Sequence, residues 1–497
     1  MRGWLWPLQE EWTLADLVSN ITAMAPEVFL VVTALVLLLV GAFGGRRMAG
    51  PVNLAIVVAL IIAAGLALRD IPNGSLELFG GALVLDHLST FGKFSALIAS
   101  ALSLWLAHGY LKTENRLSAE FGILVLFASL GMLIMVSAND LLSLYIGVEM
   151  QSLSLYVLAA SNRDSLRSSE SGLKYFVLGA LSSGLLLYGA SLIYGFSGSL
   201  RFEGIAAAAT GSGSGSVGLI VGIVFLLCGL AFKISAVPFH MWTPDVYEGA
   251  PTPVTTFFST APKIAAMVLI ARVLFGPFHH LVADWQQVVI ALSVLSMCIG
   301  YLGAIMQTNI KRLMAYSSIA NMGYALIAMA SGTVQGLSGL LFYMGLYLIT
   351  TLGIFACILA MRRSEGMVEQ IDDLAGLSRA KPGLALALTA LLFSVAGIPP
   401  LAGFFGKYFV FMAAVDANLT WLAILGAVAS VVGAFVYLRL IKIVWFDEPA
   451  EPFVPASFAQ ISLAGVSALL MLPGAIWLLP ALAKWSQIAA AAMFVHG

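Results

Sequence analysis

The sequence predicts an all-α polytopic membrane protein with about 14 transmembrane helices, and three observations support this fold class. Sixty per cent of the 497 residues are hydrophobic and only 10% are charged, whereas about 25% of the residues in an ordinary soluble domain are charged. The apolar residues fall in long stretches, most of which reach the roughly 20 residues that cross the hydrocarbon core of a bilayer. The connections between them are short, so residues 1–497 are predicted to form a single membrane domain.

The apolar stretches are numbered here as predicted spans 1 to 14 in chain order. Their approximate bounds are 27–44, 52–69, 86–110, 119–138, 140–161, 171–196, 217–241, 253–275, 285–307, 312–331, 336–361, 382–414, 420–446 and 457–480. No segment between two spans is long enough for a soluble domain.

The distribution of lysine and arginine predicts the orientation of the chain. Connections that follow odd-numbered spans carry fourteen basic residues, and the opposite side carries five, namely Arg2, Arg69, Arg201, Arg272 and Lys484. The fourteen are Arg46, Arg47, Lys112, Arg116, Arg163, Arg167, Lys311, Arg312, Arg362, Arg363, Arg379, Lys381, Arg439 and Lys442. Because basic residues accumulate on the cytoplasmic side of membrane proteins, both termini are predicted to lie on the outer side.

The composition argues against several kinds of partner and cofactor. A net charge of −1 gives no indication of a nucleic-acid partner. Cys228, Cys298 and Cys357 lie in apolar stretches, with a spacing that fits neither a disulfide framework nor a metal site. A dinucleotide-binding fingerprint is also missing from the sequence. We therefore expect the chain to bind no metal, flavin, haem or quinone as a cofactor of its own.

Five basic residues are predicted to be buried within spans, and Glu149 joins them near the middle of span 5. The five are Lys93, Lys174, Lys233, Lys263 and Lys407. A charged side chain at the centre of a bilayer costs about 2.5–3.5 kcal/mol on insertion scales. Because an apolar residue would avoid this cost, ionisable residues inside spans usually mark an ion path.

A lysine suits a proton path because desolvation makes its ammonium group release a proton more readily, whereas a nearby carboxylate has the opposite effect. Glu149 lies near the middle of span 5, and Lys233 is the lysine that we expect it to influence. The alternative is a static salt bridge, although buried ion pairs are often no more stabilising than apolar residues. Lys93 and Lys174 lie nearer to helix ends, where they could instead extend towards the interface.

Two spans are predicted to be broken helices. Pro238 follows Lys233 by five residues in span 7, and proline removes a backbone donor and clashes with the preceding turn. Span 12 contains two adjacent prolines between glycines at 397–403, followed by Lys407. Irregular backbone is tolerated at this depth only where protein or a water-filled cavity satisfies the freed backbone groups.

The two breaks also predict an internal repeat. Broken helices in corresponding positions are typical of transporters with inverted repeats, and spans 7 and 12 are five apart. We therefore predict two inverted five-helix repeats, helices 4–8 at 119–275 and helices 9–13 at 285–446. His240 follows the first break, where it could relay protons between lysines or hold the irregular backbone. Lys263 is predicted to lie between Lys233 and Lys407 near the membrane midplane.

Three segments carry a resemblance to a known family. They are PFHMWTPDVYEGAPTPV at 238–254, NIKRLMAYSSIANMGY at 309–324 and GIPPLAGFFGK at 397–407. They resemble signature sequences of the antiporter-like proton-translocating membrane subunits, which occur in NADH-quinone oxidoreductase (complex I), in multisubunit cation/proton antiporters and in membrane-bound hydrogenases. The resemblance extends over nearly the whole chain, and the variant DVYEGAP is most similar to the complex I members.

The resemblance implies a fold of fourteen helices with two inverted five-helix repeats, and roles for four residues. Glu149 matches the family's glutamate of helix 5, Lys233 and Lys407 match the lysines of broken helices 7 and 12, and Lys263 matches the connecting lysine of helix 8. Lys174 and His240 are secondary candidates. In this family, protons move through half-channels of buried lysines.

The resemblance also implies the setting in which the chain works. Electron transfer from NADH to quinone takes place in other subunits, so this chain carries no redox centre and no cofactor. Its expected partners are other membrane-arm subunits of complex I, including homologous antiporter-like subunits, together with the lipid bilayer and protons. Its expected location is the bacterial inner (cytoplasmic) membrane, with both termini on the periplasmic side.

Two other functions are compatible with the composition. The chain could belong to a secondary antiporter that exchanges sodium for protons, which the DVYEGAP variant argues against. It could instead be a structural membrane scaffold, in which case changes at Glu149 or Lys233 would spoil assembly and leave pumping per assembled complex intact.

Overall fold

The computed structural model confirms the predicted fold class. It describes residues 14–69, 74–211, 216–363, 366–448, 453–473 and 477–494. Within these ranges, eleven helices are long and apolar enough to cross a membrane, and two shorter apolar helices accompany them. The helices pack around one extended core of buried apolar side chains that draws on nearly all of them.

The helices are labelled in chain order. Their bounds are α1 Leu14–Ala23, α2 Ala25–Ala67, α3 His87–Thr113, α4 Ala119–Ser137, α5 Leu141–Ala159, α6 Leu166–Ser197, α7 Phe202–Gly211, α8 Val217–Ile234, α9 Trp242–Gly249, α10 Thr252–Phe258, α11 Ala261–Phe275, α12 Val282–Ile305, α13 Ile310–Ala330, α14 Val334–Ala360, α15 Leu377–Ala380, α16 Pro382–Ala396, α17 Ala402–Asp416, α18 Thr420–Phe446, α19 Phe458–Met471 and α20 Leu478–Ala491.

Two short β-hairpins lie in connections between helices. β1 Leu76–Leu78 pairs antiparallel with β2 Leu83–Leu85, and β3 Arg362–Arg363 pairs with β4 Gly366–Met367. The hydropathy pattern does not predict these strands, because each is only two or three residues long and produces no bilayer-length hydropathy signal.

The first two predicted spans are the two arms of α2. Gly45 interrupts the helix with a φ of 57° and a ψ of −153°, a conformation that glycine adopts without steric cost. The arms, 25–44 and 46–67, both pack on α4. A Cβ atom on Gly41 would lie 2.8 Å from the Cβ of Ala119, and the Asn53 side chain donates a hydrogen bond to the carbonyl of Ser118 at 2.8 Å.

Both predicted helix breaks occur in the structure. α8 forms most of span 7 and ends where Ser235 adopts a left-handed conformation with a φ of 62°, and the chain resumes as α9, which begins just beyond the predicted end of the span at 241. The first half of span 12 is α16, which ends at Gly397 with a φ of 85°, and α17 follows. In each case the prolines identified in the sequence lie in the irregular segment between the two helices, α8 and α9 or α16 and α17.

Two further interruptions were not predicted. Span 8 consists of α10 and α11, separated by Ser259 and by Thr260, whose φ of −120° and ψ of −91° are not helical. The last predicted span, 457–480, contains α19 and the start of α20, which are separate helices. α20 continues beyond 480, and the two helices pack against successive parts of α14. The Cβ positions of Gly353 and Gly345 on α14 face Ser467 of α19 and Leu482 of α20, respectively. Both stretches are apolar along their whole length, so the hydropathy pattern did not indicate that a helix is interrupted there.

Candidate functional site

Lys233 lies in the last turn of α8 and is bound to a hydroxyl group of α5. The residue is only 7% exposed, and its Nζ donates a hydrogen bond to Ser152 Oγ at 2.8 Å. Glu149 precedes Ser152 by three residues, which places both on the same side of α5. Among the described residues, Glu149 and Lys233 form no ion pair within 4.0 Å.

Glu149 is half-buried and is held by a different helix. Its Oε1 accepts a hydrogen bond from Ser183 Oγ of α6 at 2.5 Å. The carboxylate therefore lies one helical turn from the hydroxyl that binds Lys233, where its field reaches the ammonium group. The arrangement combines a buried base with a nearby acid that is not locked to it by a direct salt bridge.

Lys263 contacts the broken end of α8. The residue is 1% exposed, so it faces the protein interior and not the lipid. Its Nζ donates to the carbonyl of Ile234 at 3.2 Å and to Ser235 Oγ at 3.1 Å. The ring of Tyr247 lies 5.9 Å from the same Nζ atom. These contacts connect Lys263 to the residues that immediately follow Lys233.

Lys407 contacts the broken end of α16. The residue is 4% exposed, and its Nζ donates to the carbonyl of Ala396 at 3.0 Å and to Ser430 Oγ at 3.2 Å. Its Nζ also lies 4.6 Å from the ring centroid of Tyr324, within the range of a cation–π interaction. Ser430 in turn donates a hydrogen bond to the Tyr324 hydroxyl at 2.9 Å.

The surroundings of Lys263 and Lys407 correspond closely. In both, the ammonium group meets a carbonyl at the C-terminal end of a half-helix, a serine hydroxyl and the face of a tyrosine ring. The C-terminus of a helix carries a partial negative charge that favours a cation. The sequence pattern paired Lys233 with Lys407 through the two broken helices, whereas by contacts the counterpart of Lys407 is Lys263.

A set of buried polar side chains on α13, α14 and α18 was not identified from the sequence. Those linked by hydrogen bonds are Ser317 with Tyr437, Ser318 with Tyr347, Asn321 with Ser317 and Tyr343 with Asn321. All are buried within α13, α14 and α18. Isolated serines and tyrosines are common inside membrane helices, so their identity alone gives no signal. The fold shows that four of them form one hydrogen-bonded cluster, Tyr437–Ser317–Asn321–Tyr343, beside the separate pair Ser318–Tyr347.

Lys174 is not a buried lysine, which corrects the sequence prediction. Its side chain is 42% exposed and forms ion pairs with Glu170 at 2.8 Å and Asp245 at 2.9 Å. Arg312 binds the same Asp245 at 2.7 Å and Glu248 at 3.0 Å. Lys174 therefore belongs to a surface ion-pair network that joins α6, α9 and α13.

His240 lies in the irregular segment between α8 and α9 and is half-buried. Its Nδ1 is buried and has no hydrogen-bond partner among the described residues. The neighbouring Trp242 donates from Nε1 to the carbonyl of Phe232 at 3.1 Å, so it fixes α9 against the end of α8.

Lys93 does not extend towards the interface. It is 2% exposed and forms an ion pair at 2.7 Å with Glu27, which is 4% exposed in the first turn of α2. A second buried pair, Arg272 with Asp86 at 2.8 Å, was also missed, because Arg272 had been assigned to an outer connection. Neither pair contacts the lysines of the broken helices directly.

Replacing Lys93 by methionine is expected to destabilise the chain by about 3–5 kcal/mol, because removing one partner leaves the carboxylate of Glu27 buried and unpaired. The double variant Glu27→Leu with Lys93→Met should recover most of this loss. The unfolding midpoint of the purified protein in a detergent titration measures both effects. A single variant as stable as the parent would contradict the expectation.

Among the described residues, no group of three or more His, Cys, Asp or Glu side chains could hold a metal ion. Cys357 is buried, Cys228 is half-buried and Cys298 is exposed, and all three are free thiols. The charged side chains buried in the described part of the chain are lysines, Arg272 and a few carboxylates, with hydroxyl groups among them. Such a set can bind and pass protons.

The bundle, its broken helices and its buried lysines define an antiporter-like integral membrane protein with multiple spans. A family model described as "NADH:quinone oxidoreductase/Mrp antiporter, TM" matches residues 138–433. Similar curated proteins include the NADH-quinone oxidoreductase subunit N 1 of Rhizobium meliloti (strain 1021), 54% identical over 93% of this chain and 95% of the relative. Another is the subunit N of Rhodospirillum rubrum, 54% identical over 90% of this chain and 92% of the relative.

Two solved structures contain a chain with a similar fold. A chain of respiratory complex I from Thermus thermophilus is 33% identical, with a TM-score of 0.79 over 92% of this chain and 99% of that chain. A chain of the Mrp complex from Dietzia sp. DQ12-45-1b shares the fold at 24% identity, with a TM-score of 0.82 over 96% of this chain and 98% of that chain. The chain belongs to the NADH:quinone oxidoreductase/Mrp antiporter family, in the group of NADH-quinone oxidoreductase subunits N.

Proposed function

We propose that the chain carries protons across the bacterial inner membrane as a subunit of NADH-quinone oxidoreductase. Lys233, Lys263 and Lys407 are the proton carriers, and Glu149 is the charge that controls Lys233. Electron transfer from NADH to quinone takes place in other subunits, and homologous antiporter-like subunits lie beside this chain in the membrane arm. The names of its relatives support its assignment to NADH-quinone oxidoreductase.

One observation carries the proposal: each broken helix offers its C-terminal carbonyl to a buried ammonium group, Ile234 to Lys263 and Ala396 to Lys407. The carbonyl favours the charged form of the lysine, and the apolar surroundings favour the neutral form. A small change in either contact therefore changes whether the lysine keeps its proton. The two predicted repeats, 119–275 and 285–446, would form the two half-channels, with Lys263 between Lys233 and Lys407.

Lys407→Met tests the proposal. Proton transfer through this chain is expected to slow at least ~100-fold, because a positioned proton-transfer group contributes about 10²–10⁴-fold. Protons pumped per NADH oxidised, measured in membrane vesicles with matched complex content, should then fall to the share of the other subunits. Lys442→Met is the control, because Lys442 is 64% exposed and pairs with Asp447 at the surface. Unchanged pumping in Lys407→Met would refute the proposal.

The proposal includes an orientation with both termini on the periplasmic side, since fourteen basic residues mark the other side and five mark this one. Both terminal segments lie outside the described residues. A fusion after Gly497 to alkaline phosphatase should be active, and a fusion to a fluorescent protein that matures only in the cytoplasm should be dark. The reverse pattern would overturn the orientation.

A further inference from the structure

The two arms of α2 enclose an apolar groove that the proton path does not use. The groove has a volume of about 600 Å³ and is lined by side chains from 29–37 on one arm and 51–62 on the other. On each arm the lining residues recur every three or four positions, so each arm presents one apolar stripe to the other. The stripes face each other without filling the space between them.

The lining is apolar throughout. Val32, Val36, Leu54 and Val58 are 49–57% exposed in the groove. The single hydroxyl group, that of Thr33, donates to the carbonyl of Phe29 at 2.7 Å, so it needs no other partner. Leu30 on the first arm and Ile56 on the second arm do not line the groove and are fully buried in the bundle. The groove therefore opens away from the core and towards the surrounding membrane.

The groove is too small for a helix and has the length of one lipid leaflet. Residues 51–62 rise by about 16 Å at 1.5 Å per residue, which is close to half of the ~30 Å hydrocarbon core. A helix of that length and about 10 Å in diameter occupies more than about 1,000 Å³. An extended acyl chain is narrower and fits the dimensions of the groove.

Basic side chains lie at one end of the groove. Arg46 and Arg47 follow the Gly45 turn and are exposed. Arg47 lies one helical turn before Pro51, the first lining residue of the second arm. Basic residues beside a cleft between membrane helices on the cytoplasmic side attract anionic headgroups. We propose that this groove binds an anionic phospholipid, with its phosphate at Arg46 and Arg47 and one acyl chain between the arms.

Photolabelling in the assembled complex tests this site. The complex is placed in nanodiscs that contain phosphatidylglycerol or phosphatidylcholine with a photoreactive group on the acyl chain, and labelled residues are mapped by mass spectrometry. Residues 29–37 and 51–62 should be labelled on the order of tenfold more strongly by phosphatidylglycerol than by phosphatidylcholine. Equal labelling by the two lipids, or no labelling of the groove, would overturn the proposal.

Two variants separate the headgroup from the acyl chain. Arg46→Gln with Arg47→Gln should bring the labelling ratio close to one, whereas Arg163→Gln, an exposed arginine in another connection on the same predicted side, should leave it unchanged. Ala55→Trp should fill the groove and remove labelling by both lipids. Ile61→Trp is its control, because Ile61 is 49% exposed but does not line the groove. A preserved ratio in the arginine variant, or preserved labelling in Ala55→Trp, would contradict the site.

Discussion

Lys263→Met is expected to stop proton transfer between the two halves of the chain while the complex still assembles. Methionine is unbranched like lysine, only one atom shorter, and suits the apolar surroundings, but it cannot carry a proton. The carbonyl of Ile234 and Ser235 Oγ would lose a donor, which costs about 1–3 kcal/mol for a buried hydrogen-bonding group. That loss is small enough for the helices to retain their packing, so we expect the defect to appear in pumping and not in complex content.

Lys263→Arg tests whether a positive charge at this position is sufficient or whether the residue must also release a proton. Arginine keeps a positive charge at the end of α8 but holds its proton too tightly to pass it on. We therefore expect Lys263→Arg to pump as poorly as Lys263→Met, with at least a ~100-fold slower transfer through this chain. Lys112→Met provides the control, since Lys112 is exposed in the last turn of α3. If either Lys263 variant pumps like the parent, protons do not pass through this residue.

Glu149→Gln is expected to slow proton transfer through this chain about tenfold by removing the charge that acts on Lys233. Glutamine can still accept the hydrogen bond from Ser183, so the variant changes the charge and little else. Without the carboxylate, desolvation acts alone on Lys233, and the lysine remains neutral more of the time. A neutral lysine has no proton to deliver. A tenfold change corresponds to about 1.4 kcal/mol, which is within the range of such a charge effect.

Three further variants test whether the loss of the Glu149 charge causes the slower proton transfer. Glu149→Ala should match Glu149→Gln, and Glu149→Asp should retain more activity, because the charge survives on a shorter side chain. Ser183→Ala removes the hydrogen bond and leaves the charge, so we expect a smaller effect than in Glu149→Gln. Protons pumped per NADH oxidised, at matched complex content, measure all four. Equal pumping in the parent and Glu149→Gln would exclude the electrostatic control of Lys233.

The helix breaks could be predicted from the sequence because proline and glycine have direct effects on the backbone. Pro238 and the two prolines near Gly397 cannot continue a helix, and the structure breaks there. The break at Thr260 left no comparable signal. Pro262 occupies one of the first two positions of α11, where proline is compatible with a regular helix start, and its presence alone did not show that a helix begins there.

The partners of the ionisable residues could be predicted only in part. Burial of Lys233, Lys263 and Lys407 follows from their positions inside long apolar stretches. Burial of Lys93 depends on Glu27, which lies 66 positions earlier and at the edge of its span. Lys174 lies inside a predicted span, but it faces the surface, because Asp245 on α9 draws it into an ion-pair network. Such pairings depend on how the helices meet.

The carbonyl groups at the ends of α8 and α16 have a consequence for other cations. Carbonyl and hydroxyl oxygens at an interrupted helix are also ligands for a sodium ion. Here the ammonium groups of Lys263 and Lys407 already occupy those oxygens, each on a tether of four methylene groups. The resident cation cannot diffuse away, so the charge at either position can change only by loss or gain of a proton. A protonated lysine thereby excludes sodium from the oxygens that would otherwise bind it.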